Sequence, residues 1–490
     1  MLSRRWSVLA LVLAAGTARA DVTLHPLFTD NMVLQQKAKV PVWGKAAPGE
    51  EVTVKLQSEK FNTFREGTAK ADDKGDWKVV LDAAGIEAGG GYVLEVKGKN
   101  TIVLKNVAVG EVWVCSGQSN MEWSVNSSFD PEKVRAGALN ANLRLFTVAK
   151  KTSTTPLNDY ADLKHFSKWA TCKPENVGGF SAVAYHFGLA VQKALNVPVG
   201  LIHTSWGGTP AEAWASAEAL AAVPELKYLA DRATAAAAQF EKEKKAVGPN
   251  SPASLYNAMI HPLLPFAVKG AIWYQGESNA GKAYEYRTLF PTMIEDWRKK
   301  WGTDLAFHLV QLAPWHSGDA DGVSWAELRE AQTLTTTKLK GVGMAVITDV
   351  GDLLDIHPRD KTTVGNRLAR AALARTYGQK VVGSGPTYKG MTADGDKVTL
   401  AFENVGTGLV AKYQTLNGFT ACGKDGYFYP AKAVLAGADK IVVTCDKVPE
   451  PVAVRFGWKN YPVVNVYNKE GLPMVPFRTD DFPLTTMPKK

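Results

Sequence analysis

Cysteine is nearly absent from this chain, four in 490 residues, which excludes a fold built on disulfides. Cys115, Cys172, Cys422 and Cys445 form no CxxC pair and no HExxH occurs, so neither a structural nor a catalytic metal is indicated. Past the first twenty residues no apolar run is long enough to span a bilayer, so no membrane span is expected. No basic stripe exists: the densest charge run, Glu241-Lys242-Glu243-Lys244-Lys245, mixes both signs as a solvated helix face does, which argues against a nucleic-acid partner. Internal repeats and low-complexity tracts are also missing. What is left is 46% hydrophobic, enough for a large core and more than one domain.

The first twenty residues read as a secretory signal. Arg4 and Arg5 form the basic region, Val8 to Ala15 the apolar one, and Ala18-Arg19-Ala20 a small-residue cleavage site before Asp21. A periplasmic or secreted protein is expected. Loss of Arg4, Arg5 and Arg19 takes three charges from the net +9 and leaves a modest +6. In such a compartment Cys422 and Cys445, both in one β-rich region, are the pair expected to bridge.

Three textures follow one another. From Val22 to about Asn106, short β-type runs (Val40 to Trp43, Glu51 to Leu56, Trp77 to Leu81, Tyr92 to Val96) alternate with turn signals such as Ala47-Pro48-Gly49, a pattern that suggests a small β-sandwich over 21–106. From Val107 to Gly378, strand-like runs alternate with long helical stretches, which indicates an α/β domain with a parallel sheet covered on both faces. The expected strands are Val107 to Val114, Val199 to His203, Lys269 to Tyr274, Ala306 to Leu312 and Met344 to Thr348. The expected helices are Ser181 to Leu195, Ala211 to Lys245 with interruptions, Tyr284 to Lys300, Trp325 to Leu339 and Arg359 to Tyr377. Over 379–490 β-type runs return, as in Lys397 to Phe402, Ile441 to Cys445 and Val452 to Phe456.

Polar turns follow most of the central runs, where open α/β sheets bind ligands. Cys115-Ser116-Gly117-Gln118-Ser119-Asn120-Met121 follows the first, Thr204-Ser205-Trp206-Gly207-Gly208-Thr209 the second, and Gln275-Gly276-Glu277-Ser278-Asn279 the third. Asp349, Asp352 and Asp355-Ile356-His357-Pro358 follow the fifth. Nucleophilic acyl transfer needs a hydroxyl, a base, an acid that orients the base, and donors for an oxyanion. Ser119, His357 and Asp355 supply the first three. The Gly208 and Ser119 main-chain N–H groups and an amide from Gln275 or Asn279 are candidates for the fourth. Ser116 and Ser278 are rival turn serines, and Asp352 or a backbone carbonyl could replace Asp355. His203 ends an apolar strand and His308 lies inside one, which marks both as core histidines. Trp206, Glu277 and Trp315 are candidate substrate contacts, with Trp123 close by; tryptophan rings stack on sugars, though most of the fourteen belong to the core.

Gly117-Gln118-Ser119-Asn120-Met121, Trp206-Gly207-Gly208-Thr209, Trp273-Tyr274-Gln275-Gly276-Glu277-Ser278 and Asp355-Ile356-His357-Pro358, in this order, resemble the conserved blocks of the SGNH hydrolase superfamily, specifically its sialate O-acetylesterase and carbohydrate acetylesterase group. The likeness extends to Asn31-Met32-Val33-Leu34-Gln35 and to Pro476-Phe477-Arg478-Thr479-Asp480. It implies a three-layer α/β/α fold, flavodoxin-like in its parallel sheet, with a serine nucleophile in the first block and a histidine base in the last. It further implies removal of O-acetyl groups from carbohydrate, sialic acid or related sugars, without a cofactor. Acetylated xylan or xyloglucan is the alternative substrate, and a noncatalytic sugar binder the alternative function. The chain departs from the superfamily pattern twice. Gly276-Glu277-Ser278-Asn279 stands where Gly-x-Asn-Asp is usual, and Leu354 stands three residues before His357, where the acid usually lies.

Overall fold

Residues 21–60, 63–159, 168–319 and 322–488 are described by the computed structural model, so the leader read at residues 1–20 lies outside them. The run from Val107 to Val114 is the middle of one long strand, Thr101–Gly117, that serves two β-layers. Its first half pairs antiparallel with Gly89–Lys97, and its second half runs parallel between Val199–Ser205 and Gly270–Tyr274. Burial changes at the same place. Over residues 101–106 only Ile102 and Leu104 are half-buried and the rest are exposed, whereas 107–117 are buried throughout, as a parallel strand covered on both faces must be.

The central sheet runs Ala170–Cys172, Asn140–Thr147, Val199–Ser205, Thr101–Gly117, Gly270–Tyr274, Ala306–Val310, Val342–Ala345. Every neighbouring pair is parallel except the Ala170–Cys172 edge. The chain leaves Thr101–Gly117 first toward one edge and later toward the other. Its carboxyl end is therefore the switch point where a crevice opens. Asn140–Thr147 was not expected: it opens on Asn-Ala-Asn, which carries no strand pattern, and it is stabilised by its parallel neighbour.

Register shows why helices cover both faces. Trp273 pairs with Ser116, three residues from Trp113, so the two indoles point to opposite sides of the sheet. Trp113 packs on Phe187 of Ala182–Leu195 and on Tyr377, two residues past the end of Lys361–Arg375. Trp273 packs on Phe290 and Trp297 of Ala283–Trp301. This is a three-layer α/β/α arrangement. The helix expected from Arg359 begins at Lys361, because the Asp360 side chain caps it by accepting the Thr363 N–H at 2.9 Å.

The four N-terminal β-runs lie within Lys39–Lys45, Glu51–Ser58, Asp76–Asp82 and Gly89–Lys97, and their apolar core is continuous with that of the central sheet. Most of the strands after residue 386 enclose a separate apolar cluster. That segment grips helix Ser324–Lys338: buried Arg329 donates to the carbonyls of Leu312, Ala313, Lys459 and Asn460. All four cysteines are free buried thiols, which corrects the expected Cys422 to Cys445 bridge. Cys422 sits in strand Phe419–Cys422 with its backbone paired to Ala453, while the Cys445 thiol is directed at the Pro430 carbonyl, 3.5 Å away.

Candidate active site

Ser119 emerges from the switch-point strand through a turn that only glycine can make. Gly117 has φ +141, and a Cβ there would lie 2.1 Å from the Tyr274 carbonyl oxygen. Gln118 then donates its N–H to that same oxygen at 3.0 Å, and Ser119 opens the short helix Ser119–Glu122. The first N–H groups of a helix have no partner within it. Those of Ser119 and Asn120 have no acceptor among the described residues.

His357 arrives from the far edge of the sheet on the loop after Val342–Ala345. The loop is tied at both ends: Asp349 forms a two-pronged ion pair with Arg367 at 2.6 and 2.8 Å, and Arg359 donates to the carbonyls of Ser127 and Ser128. The result is a 2.8 Å contact between His357 Nε2 and Ser119 Oγ. Asp355 Oδ1 lies 3.5 Å from His357 Nδ1 and accepts the His357 main-chain N–H at 2.8 Å, although its side chain is 50% exposed. Asp352 instead accepts the N–H groups of Leu354 and Asp355 within its own turn. The Trp123 indole stacks on the imidazole, 4.8 Å between centroids and 14° between planes. Burial pushes the His357 pKa below its usual value and the nearby Lys361 ammonium adds to this, while Asp355 opposes both.

Asn120 locks the serine helix to the histidine loop from below. Its amide donates to Glu277 Oε1 at 2.6 Å and to the Ile356 carbonyl at 3.0 Å, and its oxygen accepts from Lys361 Nζ at 2.5 Å. Burial drives both ionisable groups toward neutrality, raising the Glu277 pKa and bringing Lys361 down to about 7. Glu277, expected as a substrate contact, accepts from Asn120 through Oε1 and is not among the residues that line the cleft.

Gly207 and Gly208 pass directly beside the serine. A Cβ on Gly207 would lie 3.2 Å from Ser119 Cβ, and the Gly207 N–H donates to Glu122 Oε2 at 2.8 Å. Glu122 in turn pairs with Lys150 at 2.5 Å. Gly208 has φ +75, faces open space, and its N–H has no acceptor among the described residues.

Beyond Ser119 opens a cleft of about 490 Å³ whose walls include Trp123, Lys150, His203, Ser205 and His357. Gln275 and Asn279 are not on it. Gln275 is wholly buried and uses its amide to donate to the Thr209 carbonyl and Asn279 Oδ1; Asn279, 1% exposed, donates to Glu212 and accepts from Gln275 and the Ala211 N–H. Both amides stiffen the floor instead of facing the cleft. Trp315 packs on Trp325, and the Lys150 ammonium at the cleft wall lies over the Trp206 ring, 5.3 Å from its centroid, which places Trp206 beside the cleft. Ser116 is buried, and among the described residues Ser278 has no imidazole at hydrogen-bond distance.

Sequence reasoning missed Glu122, Lys150 and the His203–Ser205 pair. A usable signal existed for the pair: residues two apart in a strand share a face, and both precede the Gly-Gly turn. Lys150 follows the unrecognised strand Asn140–Thr147 and could not have been placed.

Residues 109–374 match the family model described as carbohydrate esterase, sialic acid-specific acetylesterase. The sialate O-acetylesterase of Homo sapiens is 34% identical over 408 residues, 76% of this chain and 75% of that protein. That of Mus musculus is 32% identical over 425 residues, 76% and 77% of the two chains. The crystal structure of a carbohydrate acetylesterase from Xanthomonas citri has 39% identity and a TM-score of 0.84, over 94% of this chain and all of that one.

Proposed function

The chain belongs to the sialic acid-specific acetylesterase family of carbohydrate esterases and is a carbohydrate O-acetylesterase, and on that footing we propose that it acts through an acetyl-enzyme on Ser119 and takes O-acetylated sialic acids. The observation that carries the mechanism is the 2.8 Å contact between Ser119 Oγ and His357 Nε2 at the mouth of the cleft.

Neutral His357 takes the hydroxyl proton as Ser119 Oγ bonds to the acetyl carbonyl carbon. The carbonyl oxygen becomes an oxyanion, and the unpaired N–H groups of Ser119 and Gly208 are the donors available to it. Asp355 stabilises the imidazolium that forms. The intermediate then collapses: the carbon–oxygen bond to the sugar breaks, His357 gives its proton to the departing oxygen, and the acetyl group stays on Ser119. Water, deprotonated by His357, attacks the acetyl carbon. Acetate leaves and the proton returns to Ser119. No cofactor enters these steps.

Support for sialic acid comes from the names of the curated relatives. Acetate release from O-acetylated N-acetylneuraminic acids and from acetylated xylo- and xyloglucan oligosaccharides tests it. Faster turnover of the hemicellulose oligosaccharides would move the substrate to that class, and activity surviving Ser119→Ala would sink the mechanism. Export is part of the same proposal, supported by Arg4, Arg5 and the apolar run Val8 to Ala15. The mature protein should then begin at Asp21 when its first residues are sequenced.

A further inference from the structure

The cleft holds a second serine–histidine pair that the reaction leaves unused. His203 Nε2 lies 2.6 Å from Ser205 Oγ, and both residues line the same cleft as Ser119 and His357. His203 is only 6% exposed, set edge-on against Phe180 at 5.5 Å, and its Nδ1 is buried with no hydrogen-bond partner among the described residues. Burial holds its pKa down at about 4, with the Lys150 ammonium acting in the same sense and the Glu122 carboxylate against it. A histidine in this state stays neutral where an esterase works, and with no carboxylate at Nδ1 it cannot hold a proton taken from serine. The burial and the unpaired Nδ1 therefore argue against a second nucleophile.

Such a pair has another capacity. When Nε2 carries the proton it donates to Ser205 Oγ, which leaves the serine hydroxyl hydrogen free for an outside acceptor. When Nδ1 carries it, Ser205 donates to Nε2 and its oxygen accepts from outside. A sugar hydroxyl both donates and accepts, so it can meet either arrangement. We propose that the Ser205–His203 pair is a specificity site, at which Ser205 Oγ hydrogen-bonds a hydroxyl of the sugar that carries the acetyl group.

The inference rests on the reading of Ser119 as the nucleophile, and the two fail differently. Acetate release surviving Ser119→Ala counts against that reading alone. For the specificity site, kcat/KM is compared between p-nitrophenyl acetate, whose leaving group has no sugar hydroxyl, and the acetylated sugar turned over best in the panel above. In Ser205→Ala the ratio of sugar ester to p-nitrophenyl ester should fall about ten-fold, the size of one hydrogen bond to a neutral group, mainly through KM of the sugar. Equal proportional losses on both esters would overturn the proposal. A second measurement uses monodeoxy analogues of that sugar. One of them should lose about ten-fold with the parent enzyme and almost nothing further with Ser205→Ala; a series that behaves alike with both enzymes overturns it as well.

Discussion

Two serine–histidine pairs face one cleft, 2.8 and 2.6 Å between oxygen and nitrogen, and the shorter contact is the one unsuited to catalysis. His357 stands on a loop, partly open, with the Asp355 carboxylate 3.5 Å from its far nitrogen. His203 stands inside a strand with its far nitrogen sealed and unpaired. The difference teaches that hydrogen-bond distance between hydroxyl and imidazole does not make a nucleophile. A place for the proton's charge and donors for the oxyanion do, and among the described residues the proposed nucleophile Ser119 has both beside it, the Asp355-backed imidazole and the N–H groups of Ser119 and Gly208.

The largest test of this comparison is removal of each serine. Ser119→Ala should lower kcat/KM for an acetylated sugar by about 10⁴ or more, measured as acetate release, against the far smaller loss expected for Ser205→Ala. If the two losses were similar, the ranking of the pairs would collapse. Asp355→Asn removes the carboxylate that separates them. Because Asp355 is half-exposed and touches Nδ1 only at ion-pair distance, a loss of about 10 to 10² in kcat is expected, with KM little changed.

A finer test uses the pH dependence of kcat/KM. The proposed mechanism requires neutral His357, whose pKa is lowered by burial and by Lys361 and raised by Asp355, so the acid limb should lie below the ordinary histidine value. Lys361→Met removes a lowering influence and should move the limb to higher pH. Asp355→Asn removes the raising one and should move it lower. Shifts of the same sign in both variants would refute this account of the site's electrostatics.

The smallest effect concerns stability. His25, His186 and His203 are held at about 4 and His308 at about 3 by burial. Unfolded histidine titrates near 6.5, so between roughly pH 6.5 and 4 the unfolded chain binds more protons and stability falls as pH falls. Thermal melts of the parent protein should therefore show Tm dropping by at least several degrees from pH 7 to pH 5. A Tm that rises over this interval would contradict the buried neutral histidines.

Much of this was legible along the chain. Period, turn residues and caps are local properties, and they marked most central strands, most long helices and the turns that carry Ser119, Gly208 and His357. The strand Asn140–Thr147 was not legible, because its polar start carries no strand pattern and the strand is held by neighbours on both sides, Val199–Ser205 along Leu143 to Thr147 and Ala170–Cys172, which reaches Asn140. Gln275, Glu277 and Asn279 looked like site groups because amides and carboxylates in a glycine turn usually are. Which way they face is decided by partners far away in sequence: Asn120 for Glu277, Thr209 for Gln275, Glu212 for Asn279.

The sequence by itself determined the alternation of strands and helices, the order of the four polar turns and the types of group they carry, since these depend on neighbours within a few residues. Only the tertiary structure decided which serine meets which histidine, which amides sink beneath the site and which thiols stay apart. Those outcomes depend on sheet register and on contacts between segments far apart in the chain, from the 66 residues between Thr209 and Gln275 to the 238 between Ser119 and His357, and no local pattern encodes them.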